Sequence, residues 1–362
     1  MNASSEYEAS GLTLPVAPGA DVTEVDLAHA AEPGTSGRRA RGGLSVRWMA
    51  RRIGFGVVVV FGCSLLIFFT LHALPSDPAQ AILGKNATPQ ALAHLRNFLG
   101  LNRPVIDQYL SWLGNLLRGH FGRSYATQRP VSTELVPALI DSLCLLAATA
   151  VIAIPVSVLL GALTALRRDR WLDRGSMVAS LLLTAVPEFV IGTILVILFA
   201  TVVWRLLPAV ALIPANTDPF SRPAQMALPM LTLVLAVVPY LYRLVRGTMI
   251  DVLESEYVAM ARLKGLTERT VVLRHALPNA LIPVTQASAI IMSYLLGGIV
   301  VVEYVFGYPG IGTLLTQAIS SRDIPMIEVT CIVLTAGVVV FNLTADILTI
   351  LLTPKLRTGG HS

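Results

Sequence analysis

The chain alternates long apolar stretches with shorter charged ones. A helix rising about 1.5 Å per residue needs about 20 apolar residues to cross a hydrocarbon layer of roughly 30 Å, and six stretches reach or approach that length. Ile53 to Leu74, Leu143 to Leu166 and Leu281 to Val302 contain no acid, Lys or Arg, although Pro283 sits near the start of the last; Ser176 to Trp204 holds one acid, Glu188, and Val329 to Leu352 holds one, Asp346. Met226 to Tyr242 is the weakest, a short charge-free run interrupted by Pro229 and Pro239 but followed by Arg243 and Arg246 as interfacial anchors. The pattern predicts an all-α polytopic membrane protein with six transmembrane helices.

Two of the connections carry patterns of their own. In residues 75–135, Thr88 before Pro89 marks a helix start and Gly100 a stop. A second helix from Pro104 to Leu117 sets Val105, Ile106, Tyr109, Leu113, Leu116 and Leu117 on one apolar stripe. Such a helix between two spans is expected to lie along the membrane surface, as a packing element or as a docking surface for an extracellular partner. Residues 251–283, DVLESEYVAMARLKGLTERTVVLRHALPNALIP, are long for a connection in a compact bundle. Glu254 and Glu256 at the front and Arg262 and Lys264 at the rear match a helix dipole; Gly265 stops that helix, Thr267 caps a second, and Pro278 limits it. The expected product is a helix, a Gly corner and a second helix. Small residues (Ala259, Ala261, Gly265) would stand where a partner surface can approach.

Composition agrees with the spans. Of 362 residues, 54% are hydrophobic and 14% charged, against about 25% charged in soluble proteins. The net charge of +5 is a matter of position: with the N-terminus inside, 18 of the 27 Lys and Arg lie in four inner segments. Both termini are therefore expected in the cytoplasm of a cell-membrane protein. These cations are scattered and lack interleaved aromatics, which argues against a nucleic-acid surface. Residues 1–52 read as a disordered tail, acidic up to residue 37 and basic beyond it. The six-span region is placed at 53–357, and 358–362 form a short cytoplasmic end. Cys63, Cys144 and Cys331 all fall inside apolar runs, where neither a disulfide framework nor a thiolate metal site is expected.

No chemistry of the chain's own emerges. None of the three lysines (Lys85, Lys264, Lys355) completes a G-x-x-x-x-G-K-[ST] phosphate loop, no H-E-x-x-H occurs, and the six histidines lack metal-ligand spacing. No catalytic residue, metal or cofactor is expected. Glu188, Asn342 and Asp346, polar within spans, are candidates for a translocation path or for polar contacts between helices. As ion-coupling groups, the two acids would suit a secondary transporter.

From about Arg51 to Arg357 the chain resembles the membrane permease subunits of ATP-binding-cassette importers, in particular the B type of dipeptide and oligopeptide systems. EYVAMARLKGL through RHALPNALIP is similar to the family's EAA loop, with Ala261, Gly265, Leu277 and Pro278 at the family spacing, Ala259 where Glu is usual and His275 where Ile is usual. Leu74-Pro75-Ser76-Asp77-Pro78 resembles an LPGDP string. Leu99-Gly100-Leu101 and Gly119 to Ser124 resemble the LGL and RGDLGRS strings, and Pro187, Phe189 and Gly192 a P-x-F-x-x-G. Glu303 to Pro325, EYVFGYPGIGTLLTQAISSRDIP, resembles the E-x-V-F-x-x-P-G-x-G signature, while Thr353-Pro354 replaces the usual Asp-Pro.

The resemblance implies a type I importer permease that pairs with a homologous second permease. It also implies two cytoplasmic ATPase subunits, which hydrolyse the ATP, and an extracellular solute-binding protein. Glu256, Tyr257, Ala259, Ala261, Gly265, Leu277 and Pro278 would form the ATPase-coupling loop. Glu303, Tyr308, Pro309, Arg322 and Asp323 are candidates for contacts at the outer face. Di- or oligopeptides are the implied solute, with nickel, glutathione or oligosaccharide as alternatives carried by relatives.

Overall fold

The computed structural model describes residues 46–73, 78–84, 87–98, 100–214 and 217–352. Residues 1–45 of the expected disordered tail, most of the LPSDP string, Leu99, and the segment from Thr353 to the C-terminus lie outside the described residues; residues 46–52, expected in that tail, instead form the first turns of the first helix. The helices are α1 (Val46–Ala73), α2 (Pro78–Leu83), α3 (Pro89–Phe98), α4 (Val105–Leu117), α5 (Val131–Leu166), α6 (Trp171–Ala185), α7 (Glu188–Val196) and α8 (Pro223–Leu253). They continue with α9 (Glu256–Leu263), α10 (Glu268–Thr270), α11 (Leu277–Phe306), α12 (Ile311–Ser321) and α13 (Ile324–Leu352). A π turn, Ile197–Thr201, extends α7, and another, Val271–Ala276, joins α10 to α11. α1, α5, α8, the run from α10 through α11, and α13 are long and apolar enough to cross a membrane; α6 and α7 with its π turn reach that length and hydropathy only as a pair, bent by 104° between them.

That bend corrects the expectation of a continuous third span over Ser176 to Trp204. Val186, placed before Pro187, takes an extended conformation (φ −94°, ψ 126°), as steric conflict with the proline ring requires. Pro187 brings no N–H, so α7 starts afresh behind it. Pro278 does the reverse of what was expected. It opens α11 with no break, because the preceding π turn shifts the hydrogen-bond register where the proline cannot donate.

α8, the weakest span in the sequence, is the centre of the fold. It packs against α5, α6, α7 and α11, and its pairing with α5 is the most extensive in the chain. Its apolar window is 56% buried, against 17% for α1, whose Phe55, Val57, Val58 and Leu66 face outward. The α5–α8 contact is close because Gly161 faces Val245: a Cβ at Gly161 would lie 2.6 Å from the Val245 Cβ. Without a hydrophobic drive between helices in lipid, such backbone approach is a main source of association. Farther along, Arg246 of α8 grips Asp173 of α6 with two hydrogen bonds, Nε to Oδ1 at 2.5 Å and Nη2 to Oδ2 at 2.7 Å.

α5 starts at Val131, twelve residues before the apolar run that announced it. Glu134 and Asp141 hide this first part from a hydropathy reading, although Val131, Leu135, Ala138 and Ser142 are buried at helical spacing. α3 and α4 fall where expected, with the Ala91 N–H bonded to Thr88 Oγ1 at 3.3 Å. Of the α4 stripe only Tyr109 is buried. Its hydroxyl meets Ser64 Oγ of α1 at 2.9 Å and its ring packs on Phe68. Val105, Ile106 and Leu117 stay exposed, so α4 is held to α1 mainly through Tyr109 and Trp112, whose ring also packs on Phe68.

Replacing Gly161 with Val is expected to cost about 1–3 kcal/mol by overpacking the α5–α8 contact. Gly62→Val, where a Cβ meets nothing within 4 Å, should be close to neutral. Thermal denaturation of the two variants in detergent compares them directly.

Candidate functional site

The 251–283 segment folds as a self-braced knob. α9 begins after Ser255 and ends at Gly265, whose φ of +77° is the left-handed conformation that closes a helix. Beneath α9, Val258, Ala261 and Val271 form a small core with Val252. Arg262 holds Glu268 through two hydrogen bonds (Nη2 to Oε1, 2.7 Å; Nε to Oε2, 3.1 Å), which pins the corner. Tyr257 donates its hydroxyl proton to the His275 carbonyl at 3.1 Å and accepts from Asn279 Nδ2 at 3.0 Å. Asn279 also reaches that carbonyl, at 2.9 Å.

The expected loop residues thus divide. Tyr257 braces α9 against the π turn, Ala261 is buried in the knob, and Leu277 packs on the cluster around Met249 and Ala276. Glu256, Ala259, Gly265 and Pro278 face outward. Sequence reasoning looked for small residues and passed over the large ones: Met260, Leu263 and Leu266 stand exposed beside Tyr257, Leu263 at 81%. The signal was present, because a helix that buries Val258 and Ala261 has to turn Met260 and Leu263 the other way. A structured, charge-braced knob with an apolar cap has the character of a docking element.

At the opposite end, the candidate outer-face residues lie mostly inside the chain. Glu303 is fully buried: Ser142 Oγ donates to Oε1 at 2.6 Å and the Gly312 N–H to Oε2 at 2.7 Å. Ser142 Oγ in turn accepts the Ile311 N–H at 2.8 Å. Gly310 and Gly312 are required here, since a Cβ on either would run into the Glu303 carboxylate. Tyr308 is buried with its hydroxyl donating to the Asp141 carbonyl at 2.9 Å. Asp323 accepts from Ser124 Oγ, from the Tyr125 N–H at 2.9 Å and from the Ala126 N–H at 3.3 Å. The expectation of outer contacts is therefore corrected for Glu303, Tyr308 and Asp323, which are anchors between segments. Arg322 remains exposed and Pro309 half-exposed.

Glu188, Asn342 and Asp346 each take a different setting. Asp346 pairs with Arg52 of α1 at 2.9 Å. Asn342 donates to the Val338 carbonyl of its own helix at 3.0 Å. Glu188 opens α7 with its carboxylate against Gly298 of α11, where a Cβ would collide with it. Gly192, one turn on, clears the Phe306 ring in the same way, at 3.1 Å. Among the described residues, no group of three or more His, Cys, Asp or Glu could hold a metal ion.

Five membrane-long helices and the bent α6–α7 pair define a multi-pass membrane protein. The chain belongs to the family described as the binding-protein-dependent transport system inner membrane component, matched over residues 157–358, with its N-terminal companion matched over 45–145. A Brucella abortus (strain 2308) protein named as a peptide transport system permease is 36% identical over 308 residues, 85% of this chain and 98% of that one. The glutathione transport system permease protein GsiC of Escherichia coli (strain K12) is 34% identical over 313 residues, 86% of this chain and 99% of that one. A peptide ABC transporter permease protein of Sinorhizobium fredii (strain NBRC 101917 / NGR234) is 34% identical over 310 residues.

Asp323→Ala removes the acceptor for three donors of the 119–130 segment, at about 1–3 kcal/mol for groups left unpaired. Trypsin is expected to cut after Arg123 faster in this variant than in the parent chain, with Asp323→Asn in between. Equal cleavage rates would show that the anchor does not hold the segment.

Proposed function

We propose that this chain forms half of a translocation pathway for di- or oligopeptides and is driven by ATPase subunits that dock on the α9–Gly265 knob. The observation that carries this reading is the knob itself: an internally braced structure whose apolar cap, Tyr257, Met260, Leu263 and Leu266, is left exposed among the described residues. The positive-inside asymmetry supports an orientation with that knob and both termini in the cytoplasm and the α4 end outside. There an extracellular solute-binding protein would deliver the solute, with Arg322 and Pro309 as contacts. A homologous second permease would supply the other half of the path. ATP would be bound and hydrolysed by the two ATPase subunits, with no cofactor and no catalytic step in this chain.

Peptides are favoured by the names of the relatives from Brucella and Sinorhizobium. Glutathione, itself a tripeptide, is the second reading, supported by the Escherichia coli relative. A role for Asp346 in ion coupling is disfavoured by its pairing with Arg52; Glu188, placed against Gly298, is the better candidate for lining the path. The residue ranges follow the same reading, with 53–357 as the permease and 1–52 as a cytoplasmic tail, shortened to 1–45 by the start of α1 at Val46.

The test is Gly265→Trp in the assembled transporter. A Cβ at Gly265 meets nothing in the chain within 4 Å, so the indole would project into the docking surface. Insertion is expected to be normal and solute uptake to fall to background, with ATP hydrolysis no longer stimulated by the loaded binding protein. Gly265→Asn, which tolerates the left-handed conformation, should retain uptake and separates the bulk effect from backbone strain. Normal uptake by the Trp variant would remove the docking role.

A further inference from the structure

A cavity of about 510 Å³ opens at the α4 end, between α1, α4, the 119–128 segment and the start of α13. Its volume is that of a small-molecule site. Phe68, Trp112 and Tyr125 supply aromatic walls, and Glu328 and His72 also line it. Glu328 is 3% exposed, and its Oε1 is buried without a hydrogen-bond partner. Asp173, Glu303 and Asp323, also buried, are met by donors; Oε1 of Glu328 is met by none among the described residues. His72 does not fill the gap. Its Nδ1 lies 2.9 Å from the Phe68 carbonyl, a contact that only a protonated Nδ1 makes, and stays 3.9 Å from Glu328 Oε1. The ring is held there by stacking on Phe68 at 4.0 Å.

We infer that this cavity binds an organic ammonium group, with Glu328 as its counter-charge and the aromatic walls around its alkyl or aryl body. A bare acid in a low-dielectric site attracts a cation far more strongly than an exposed one does, and an ammonium has the donors that Oε1 lacks. Aromatic faces add cation–π attraction. Two cations, Arg103 and Arg123, also line the cavity, but both are exposed. Water and salt screen them, so they leave the acid dominant and offer a second contact to a ligand that carries a carboxylate. The site lies apart from the α9 knob and stands whether or not the docking role of that knob holds.

The experiment is calorimetric titration of the full chain in nanodiscs with phenethylammonium, with Nα-acetyl-lysine methylamide, and with the neutral and anionic analogues 2-phenylethanol and 3-phenylpropionate. Saturable binding is expected for an ammonium probe and not for the two analogues. Glu328→Gln should weaken it by roughly tenfold or more, the loss expected when a hydrogen bond to a charged group goes. Ser111→Trp, which fills the cavity from an exposed position on α4, should abolish it with Glu328 intact. Tighter binding of phenethylammonium would assign the site to a free amine, and tighter binding of the lysine derivative to a lysine side chain of an outer partner. No saturable binding of either ammonium probe, or binding that survives both substitutions, overturns the inference.

Discussion

A carboxylate taken out of water in a membrane protein has to be met by donors, and the α4 end of this chain is built around one that is. Glu303 receives the Ser142 hydroxyl from α5 and the Gly312 N–H from α12 while sitting in the last turn of α11. Three helices are thus fixed by one side chain, and the local sequence is explained by it. Gly310 and Gly312 leave room for the carboxylate, and Gly307, at φ +60°, lets the chain turn back over it. Burying an acid costs several kcal/mol unless its lone pairs are filled, so the turn and the acid are mutually dependent. Asp323 does the same for the 119–130 segment, and Asp173 with Arg246 for α6 and α8.

The spans were legible in the sequence because lipid imposes one simple rule, an uninterrupted apolar run with every backbone group paired inside the helix. What the rule does not rank is burial among other helices. α8 scored as the weakest span because prolines and a short apolar run lower its signal, yet a helix surrounded by protein does not need a lipid-facing surface. α1 scored strongly and is the most exposed of the five continuous spans. The start of α5 was missed for a related reason: Glu134 and Asp141 end the hydropathy run, while the helix continues past the bilayer. Pro187 and Pro278 looked alike in sequence and act oppositely, since only the second has a π turn before it to take up the missing bond.

The candidate site divides along the same line between local and distant information. Gly265 and α9 before it, with Glu256 in its first turn and Arg262 in its last, are encoded within about ten residues of one another and are where the sequence placed them, whereas Glu254 ends α8 and the helix after Thr267 runs on through Pro278 into α11. Glu303, Tyr308 and Asp323 were placed at the outer face by the family resemblance, which carries no information on what each side chain meets. Their partners lie 161 positions away for Ser142 with Glu303 and 199 for Ser124 with Asp323, a distance at which no spacing rule operates. Even so, the clustering of Gly307, Gly310 and Gly312 after Glu303 was a trace of the enclosure, as glycines are needed where a buried group approaches backbone closely.

The two ends are joined by one helical run, Glu268 to Phe306, whose 39 residues span about 58 Å at the helical rise. Its irregular features are unevenly placed. The π turn, Pro278 and Pro283 all fall in the part nearest the knob, and from Val284 onward the helix is regular and ends locked in the Glu303 turn. A displacement imposed on α9 therefore meets compliance first and a stiff rod afterwards, so small movements are absorbed and larger ones arrive at the α4 end as a shift of a whole helix. Gly298, midway along the rod, is where Glu188 of α7 bears on it. The bent α6–α7 span is thereby coupled to the same element, and a side chain at position 298 would disturb that contact while leaving the knob and the Glu303 turn intact.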